Sequence, residues 1–537
     1  VPAVTTIQTS SFDPDLGCGL NCDPQTCDFT QNPPVCGPGP DPGFSVEFFT
    51  PSGRGTFSPT GASGTPVNTY TTYTCDPSYP GPTQVCARAT DGDADCDKVR
   101  CVLVDCPDLC ENVDCGDDGD DCTYNDLPAY GGMNARTPHL DRLANEGILF
   151  ENAFVTTSLC SPSRASFLTG QYAHTHGVVT NHTPWDNRNA TFLERLNAAG
   201  YETAFIGKWH MPGDGLPALR GVDRFVSFTR EGGQGVYYDC PLIIDGVETA
   251  RPGRYITEDL TDLALDFITR ERRKPFCLYL SHKAVHFGFR PPPHLKGRYR
   301  DVDLKLPPES DPWIPYTNGH AFVGAIFPLY FLYRNYCETV VSVDEQVGRL
   351  LAALDAMDIA ENTIVIYAGD NGHFWGEHGL YDKRLAYEES IRIPFIVRYP
   401  GLIRDPGRRA RQMVLNIDLA PTLLELAGIV PPAAMQGRSL VPLLEDAATP
   451  GRTAWLYEHF PVFPIPIPGI TAIRTANYKY VEYQYDLRPR ELFDLEKDPR
   501  EQTNLIETPA GMKQADILKR ELERLKQETG FRFHSQG

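Results

Sequence analysis

Cys160-Ser161-Pro162-Ser163-Arg164, followed by Leu168-Thr169-Gly170, puts a thiol, a proline and a cation within one turn of chain. Pro162 suits a first helical position, because its missing N–H would be unpaired there anyway. Residues 163–170 then read as a helix start, whose free N–H groups and positive dipole end attract an anion. Arg164 adds a fixed cation with fork-like donors for an oxyanion. The plainer reading is a buried Cys beside an exposed Arg, and a lone C-x-P-x-R would favour it.

Three further clusters shift the balance. The apolar runs 202–206, 276–280 and 363–367 read as strands. Gly207-Lys208-Trp209-His210, Ser281-His282-Lys283-Ala284-Val285-His286 and Gly369-Asp370-Asn371-Gly372 follow them. In open α/β sheets, ligands bind beyond the carboxyl ends of the strands, so these segments are expected to converge. Lys and His suit an oxyanion; Asp and Asn oxygens suit a hard divalent cation. Singly each is mundane: Asp-Asn-Gly is usually a turn, and a strand-end His is usually a hydrogen-bonded loop residue.

The elements that must hold these groups follow from periodicity. Helices are expected from residue 137 and over 192–199, 256–268 and 336–357, with a further strand at 394–398. Short apolar strands alternating with helices imply an α/β fold with a mostly parallel central sheet covered on both faces. Residues 120–445 form this expected catalytic domain. Strands near 478–483 and 491–493 and a charged helix near 513–527 suggest a small C-terminal α+β subdomain over 446–537.

Residues 1–119 differ in texture. Twelve of the 16 Cys lie from Cys18 to Cys122, in a Pro- and Gly-rich segment. An even, dense cluster reads as a disulfide-stapled module or stalk, hence secreted, periplasmic or otherwise extracytoplasmic. No His precedes His139, so a zinc module there would need thiolates alone. The acidic clusters at 91–95 and 114–121 read as solvated loops, with Ca²⁺ binding the less favoured reading. The chain opens Val1-Pro2-Ala3, with neither a basic start nor an apolar stretch, so a mature form or a fragment is expected. A net charge of −21 over 537 residues argues against nucleic acid as partner, and no apolar run is long enough for a membrane span.

The 160–170 stretch, with the Lys208, His210, His286 and Asp370-Asn371 clusters, resembles the sulfatase family over residues 120–510. That resemblance implies an alkaline-phosphatase-like fold and a formylglycine nucleophile made from Cys160 by a maturation enzyme. It implies that Arg164 holds the nucleophile and faces a metal, and that Lys208 and His210 contact sulfate and the nucleophile. His286 and Lys383, in Tyr381-Asp382-Lys383-Arg384, would contact sulfate. The implied metal is Ca²⁺, with Mg²⁺ as alternative, held by Asp120, Asp121, residue 160, Asp370 and Asn371. Residues 150–178, 225–238, 278–286 and 370–400 look most like the N-acetylglucosamine-6-sulfatase group, which implies a sulfated carbohydrate of glycosaminoglycan or mucin type as substrate.

One departure stands out. The family opens with an apolar strand ending in Asp-Asp, but 111–119, Glu-Asn-Val-Asp-Cys-Gly-Asp-Asp-Gly, is no buried strand. Either that strand is replaced, or the sheet begins at 99–104 and loops out, making Asp105 a rival metal ligand. Two other functions stay open: a phosphonate or phosphate monoester hydrolase, which shares this site architecture, and, motivated by the missing first strand, an inactive sulfatase-like glycan-binding protein.

Overall fold

The computed structural model describes the backbone of strands between residues 4 and 106, and side chains over 127–132, 134–213, 216–306, 329–461, 467–485 and 488–533. Asp120 and Asp121 lie outside the described residues. The chain divides into two compact units, Val1–Asp117 and Asp118–Gly537. In the first, Gly81–Thr90 is flanked by Ser45–Phe49 and Lys98–Cys106, all antiparallel. Residues 99–104, the rival opening strand, lie within Lys98–Cys106 and pair with Gly81–Thr90.

In the second unit, the strand Glu202–Gly207 pairs in parallel with both Arg224–Ser227 and Phe276–Ser281. A hairpin, Leu242–Ile244 with Val247–Thr249, extends this sheet antiparallel at one edge. A second sheet runs in the order Val365–Ala368, Phe395–Arg398, Ile148–Phe150, Arg408–Ala410. The unshared edges of Phe276–Ser281 and Val365–Ala368 pair with no strand among the described residues. Both strands are half-buried there, while Phe395–Arg398 is buried throughout. Phe276, Leu278 and Val365 pack on one apolar cluster; Cys277, Tyr279, Ile366 and Ala368 pack on another. The two sheets therefore share both covering layers.

Local sequence explains the helices that cover them. Ile256–Ile268 forms where expected, and Ile256, Leu260, Ala264 and Phe267 are buried at helical spacing. Burying a Leu or Phe contributes about 1.5–3 kcal/mol each. Phe192–Ala198 is capped by Thr191, whose hydroxyl accepts the Glu194 N–H at 3.2 Å. Leu329–Ala356 begins seven residues before the expected start, because Leu329, Leu332 and Tyr333 extend its buried face.

The C-terminal strands Ala454–His459, Ile470–Thr475, Tyr478–Tyr483 and Glu491–Asp494 form an antiparallel meander. The helix Pro509–Thr529 covers it through Ala515, Leu518 and Leu522. Buried ion pairs join this layer to the rest of the unit. His174 Nδ1 meets Glu458 Oε2 at 2.6 Å, and Lys479 Nζ lies 2.8 Å from Glu388 and 2.7 Å from Glu501.

Candidate active site

The helix Cys160–Thr169 starts at Cys160 itself, two residues before the first helical position expected at Pro162, after Leu159 in extended conformation. The shift places Cys160 at the first helical position. Pro162, still in the first turn, costs no hydrogen bond. All ten residues are buried. Gly170 ends the helix at φ +68, where a Cβ would sit 3.2 Å from the Ala420 side chain. Asn181 Oδ1 accepts the Ser161 N–H at 3.0 Å, so one free N–H at the helix start is satisfied from outside it.

The three strand ends do converge, and Arg164 joins them. Its Nη1 donates to the Lys208 carbonyl at 3.1 Å and to Ser281 Oγ, which in turn donates to the Lys208 carbonyl at 2.9 Å. Its Nε and Nη2 donate to Asp370 Oδ2 at 2.9 and 2.7 Å. Lys383 Nζ donates to Cys160 Sγ at 3.3 Å. Lys383 is aimed there by a strained turn, with Asp382 at φ +81 and Arg384 at φ +94. The turn is held by the Arg384–Asp382 ion pair, by the Arg384 N–H on Ser390 Oγ at 2.9 Å, and by Tyr457 Oη donating to the Arg384 carbonyl at 2.5 Å. Strain of this kind persists only when the surroundings over-determine it. His210 and His286 also act on Cys160, each lowering its pKa.

The field around Cys160 is positive. Burial pushes its thiol up, but Lys208 and Lys383, with hydrogen bonds from His210 and His286, outweigh burial and hold it well below the usual thiol range. Burial brings Lys208 down to about 8, against the attraction of Cys160. Burial, with the Lys208 charge, brings His286 down to about 4. Burial also raises the Asp370 carboxyl, yet Arg164 overcomes it and keeps Asp370 ionised. An anionic group at residue 160 is thus favoured, and the histidines meet it neutral.

Asp370 and Asn371 fit a hard cation. Asn371 Oδ1 is buried with no hydrogen-bond donor, beside a carboxylate that stays charged. An orphaned buried acceptor is costly, and a divalent cation would satisfy it. No group of three or more His, Cys, Asp or Glu able to hold a metal occurs among the described residues; Asn371 is of another type, and Asp120 and Asp121 fall outside that set.

The Sulfatase family model matches residues 118–429, and the N-sulphoglucosamine sulphohydrolase C-terminal model matches 376–528. The chain belongs to the sulfatase family. It is 33% identical over 484 residues to an N-acetylglucosamine-6-O-sulfatase of Bacteroides thetaiotaomicron, covering 76% of this chain and 84% of that one. A solved complex of an enzyme with its substrate D-glucosamine-2-N,6-O-disulfate superposes with a TM-score of 0.70 at 30% identity, covering 76% of this chain and 96% of that one. The phosphonate monoester hydrolase of Agrobacterium radiobacter shares the fold, with a TM-score of 0.65 at 22% identity over 76% of this chain and 94% of that one. The protein is a sulfuric ester hydrolase of alkaline-phosphatase-like α/β fold.

Cys160, Arg164, Lys208, His210, His286, Lys383, Asp370 and Asn371 are therefore gathered at one place. Sequence reasoning missed Ser281 as the seat of Arg164, Asn181 at the helix start, and Gln234 and Tyr237 on the two histidines. These are loop or strand-end residues with no periodic signal. Lys283, read only as part of a strand end, is buried with its ammonium 5.0 Å from the centre of the Tyr237 ring, and the Glu231 carboxylate attracts it.

Proposed function

We propose that this enzyme hydrolyses sulfate esters on sulfated sugars of glycosaminoglycan or mucin type, with N-acetylglucosamine-6-sulfate units the leading candidates. The observation that carries the reading is Cys160 at a buried helix start, ringed by Arg164, Lys208, Lys383 and two neutral histidines, in a chain of this family. Formylglycine made from Cys160 by a maturation enzyme would supply a hydrated aldehyde, whose hydroxyl is the nucleophile for sulfur. Asp370 and Asn371, with Asp120 and Asp121, would hold a divalent cation, Ca²⁺ or alternatively Mg²⁺, that neutralises charge on the sulfuryl oxygens.

The chain's own residues then divide the work. Lys208, Lys383 and Arg164 offset charge growing on the sulfuryl group, from fixed positions in a buried site. The entering sulfate raises the proton affinity of His286, which gives a proton to the departing sugar oxygen. His210 holds and moves a proton at residue 160. Compartment follows the cysteine usage of residues 1–119 and is extracytoplasmic. No helix among the described residues is long and apolar enough to cross a membrane.

Kinetics on matched sulfate and phosphonate esters of one alcohol test the reading. A higher kcat/KM for the sulfate ester supports it. The reverse order makes the enzyme a phosphonate hydrolase, and tight binding with no turnover of either makes it a glycan-binding protein.

A further inference from the structure

One short loop segment, 231–237, touches both histidines that act on Cys160. Gln234 Nε2 approaches His210 Nε2 at 2.8 Å. Tyr237 Oη donates to the His286 carbonyl at 2.8 Å and accepts the His286 N–H at 3.1 Å. Tyr237 is buried, and burial holds its hydroxyl well above the usual phenol range, so it remains a donor.

Counting hydrogens assigns the His210 tautomer. Ser161 Oγ donates to the His210 carbonyl oxygen at 2.6 Å. Its remaining lone pairs face His210 Nδ1 at 3.3 Å, so Nδ1 carries the ring hydrogen. Nε2 is then the acceptor, and Gln234 supplies the N–H it needs. Gln234 Oε1 is buried with no partner of its own, so the side chain's polar contact is with His210.

The backbone is shaped for this approach. Gly232, Gly233 and Gly235 lie at φ +64, +87 and +71, where other residues are strained. A Cβ on Gly233 would come within 3.2 Å of His210 Cα, and one on Gly235 within 2.7 Å of the Phe228 ring. The glycines let the segment lie flat on His210, itself at φ +59.

We propose that 231–237 is a positioning clamp: Gln234, opposite Ser161 on the other ring nitrogen, holds the tautomer and ring plane of His210, and Tyr237 sets the backbone of His286. The proposal rests on the sulfatase reading only for what the two histidines do. Gln234 and Tyr237 are positioning residues and need not touch substrate.

The test uses the full chain. In protein kept unconverted at Cys160 and labelled with ¹⁵N-histidine, the His210 ring signals are those lost in His210→Asn. We expect a single tautomer protonated at Nδ1, shifted in Gln234→Leu and in Gln234→Glu. Glutamate is nearly isosteric but has no N–H, and it forces the ring hydrogen toward Nε2. In the matured enzyme, Gln234→Leu, Gln234→Glu and Tyr237→Phe are expected to lower kcat about tenfold or more while KM stays within about twofold. Gly233→Ala, which pushes on His210 without removing any polar group, is expected to behave alike. An unchanged tautomer in Gln234→Leu, or full kcat in Gln234→Glu, overturns the proposal, because shape alone would then account for the contact. If the ring signals shift as expected but the wild-type enzyme turns over no sulfate ester, the clamp stands and the proposed function falls.

Discussion

Arg164 and Asp370 are 206 residues apart in the chain and 2.7 Å apart at their closest atoms. The pair ties the helix Cys160–Thr169 to the end of Val365–Ala368, while the remaining donors of Arg164 reach Lys208 and Ser281 at the ends of two other strands. One planar guanidinium thereby fixes three strand ends relative to Cys160. A lysine ammonium has neither the fork nor the span to do so.

Arg164→Lys is accordingly expected to lower kcat/KM by about 10²–10³, the size of effect seen when one fixed donor to a developing anion is lost. Steady-state kinetics on a sulfated sugar monomer checks this. A loss smaller than about tenfold would mean that charge at this position matters and geometry does not.

Asp370→Ala is expected to abolish both metal retention and turnover. Elemental analysis of the purified variant, with kinetics after exhaustive chelation of the wild type, provides the check. Asp370→Asn separates the two roles of the carboxylate, because it keeps the side-chain shape beside Arg164 while weakening the oxygen set. Full activity in rigorously chelated enzyme would contradict the metal assignment.

The buried His174–Glu458 pair makes stability depend on pH. Burial lowers the His174 pKa, but the hydrogen bond and charge of Glu458 outweigh it, so the folded value lies above the ordinary 6.5. Below the unfolded value the pair's contribution is complete; it is lost as pH rises through the folded value. His174→Ala is expected to cost about 3–5 kcal/mol at low pH by leaving Glu458 buried and unpaired. It should also flatten the dependence of Tm on pH. Thermal unfolding from about pH 5.5 to about pH 8.5 shows both effects, and parallel curves for variant and wild type would refute the linkage.

We propose that residues 1–117 fold separately and are dispensable for chemistry, since the unit boundary falls at Asp117 and Asp118. Chains beginning near residue 75 and at residue 118 are expected to be soluble, with kcat within about twofold of the full chain. Should only the longer one fold, a segment before 118 is needed by the catalytic unit, and Asp105 returns as a metal ligand candidate.

The parts of this fold that sequence revealed are those with strong period. Strand 202–207 and helix 256–268 carry continuous or helically spaced apolar residues, and tertiary packing did not override them. The helix expected over 336–357 extends back to Leu329, because Leu329, Leu332 and Tyr333 continue its buried face. The helix at Cys160 was placed too late, because Pro162 looks like a first residue when it is in fact third. The site was legible through residue types at strand ends: Lys208, His210, His286 and Asp370 announce charge chemistry. Gln234 and Tyr237 do not, because a polar or aromatic loop residue gains meaning only from what lies opposite it. The opening strand and Asp-Asp pair that the family resemblance implies cannot be located from sequence, since 111–119 lacks the apolar run that would place them.

The most direct test of the central claim is peptide mass analysis across Cys160, in protein produced with its maturation system and shown to hydrolyse sulfate esters. The account predicts that the peptide has lost its sulfur and gained an aldehyde at residue 160, in proportion to specific activity. Finding only unmodified Cys160 in fully active enzyme would contradict it, and would leave a thiolate, already favoured by Lys208 and Lys383, as the group that attacks.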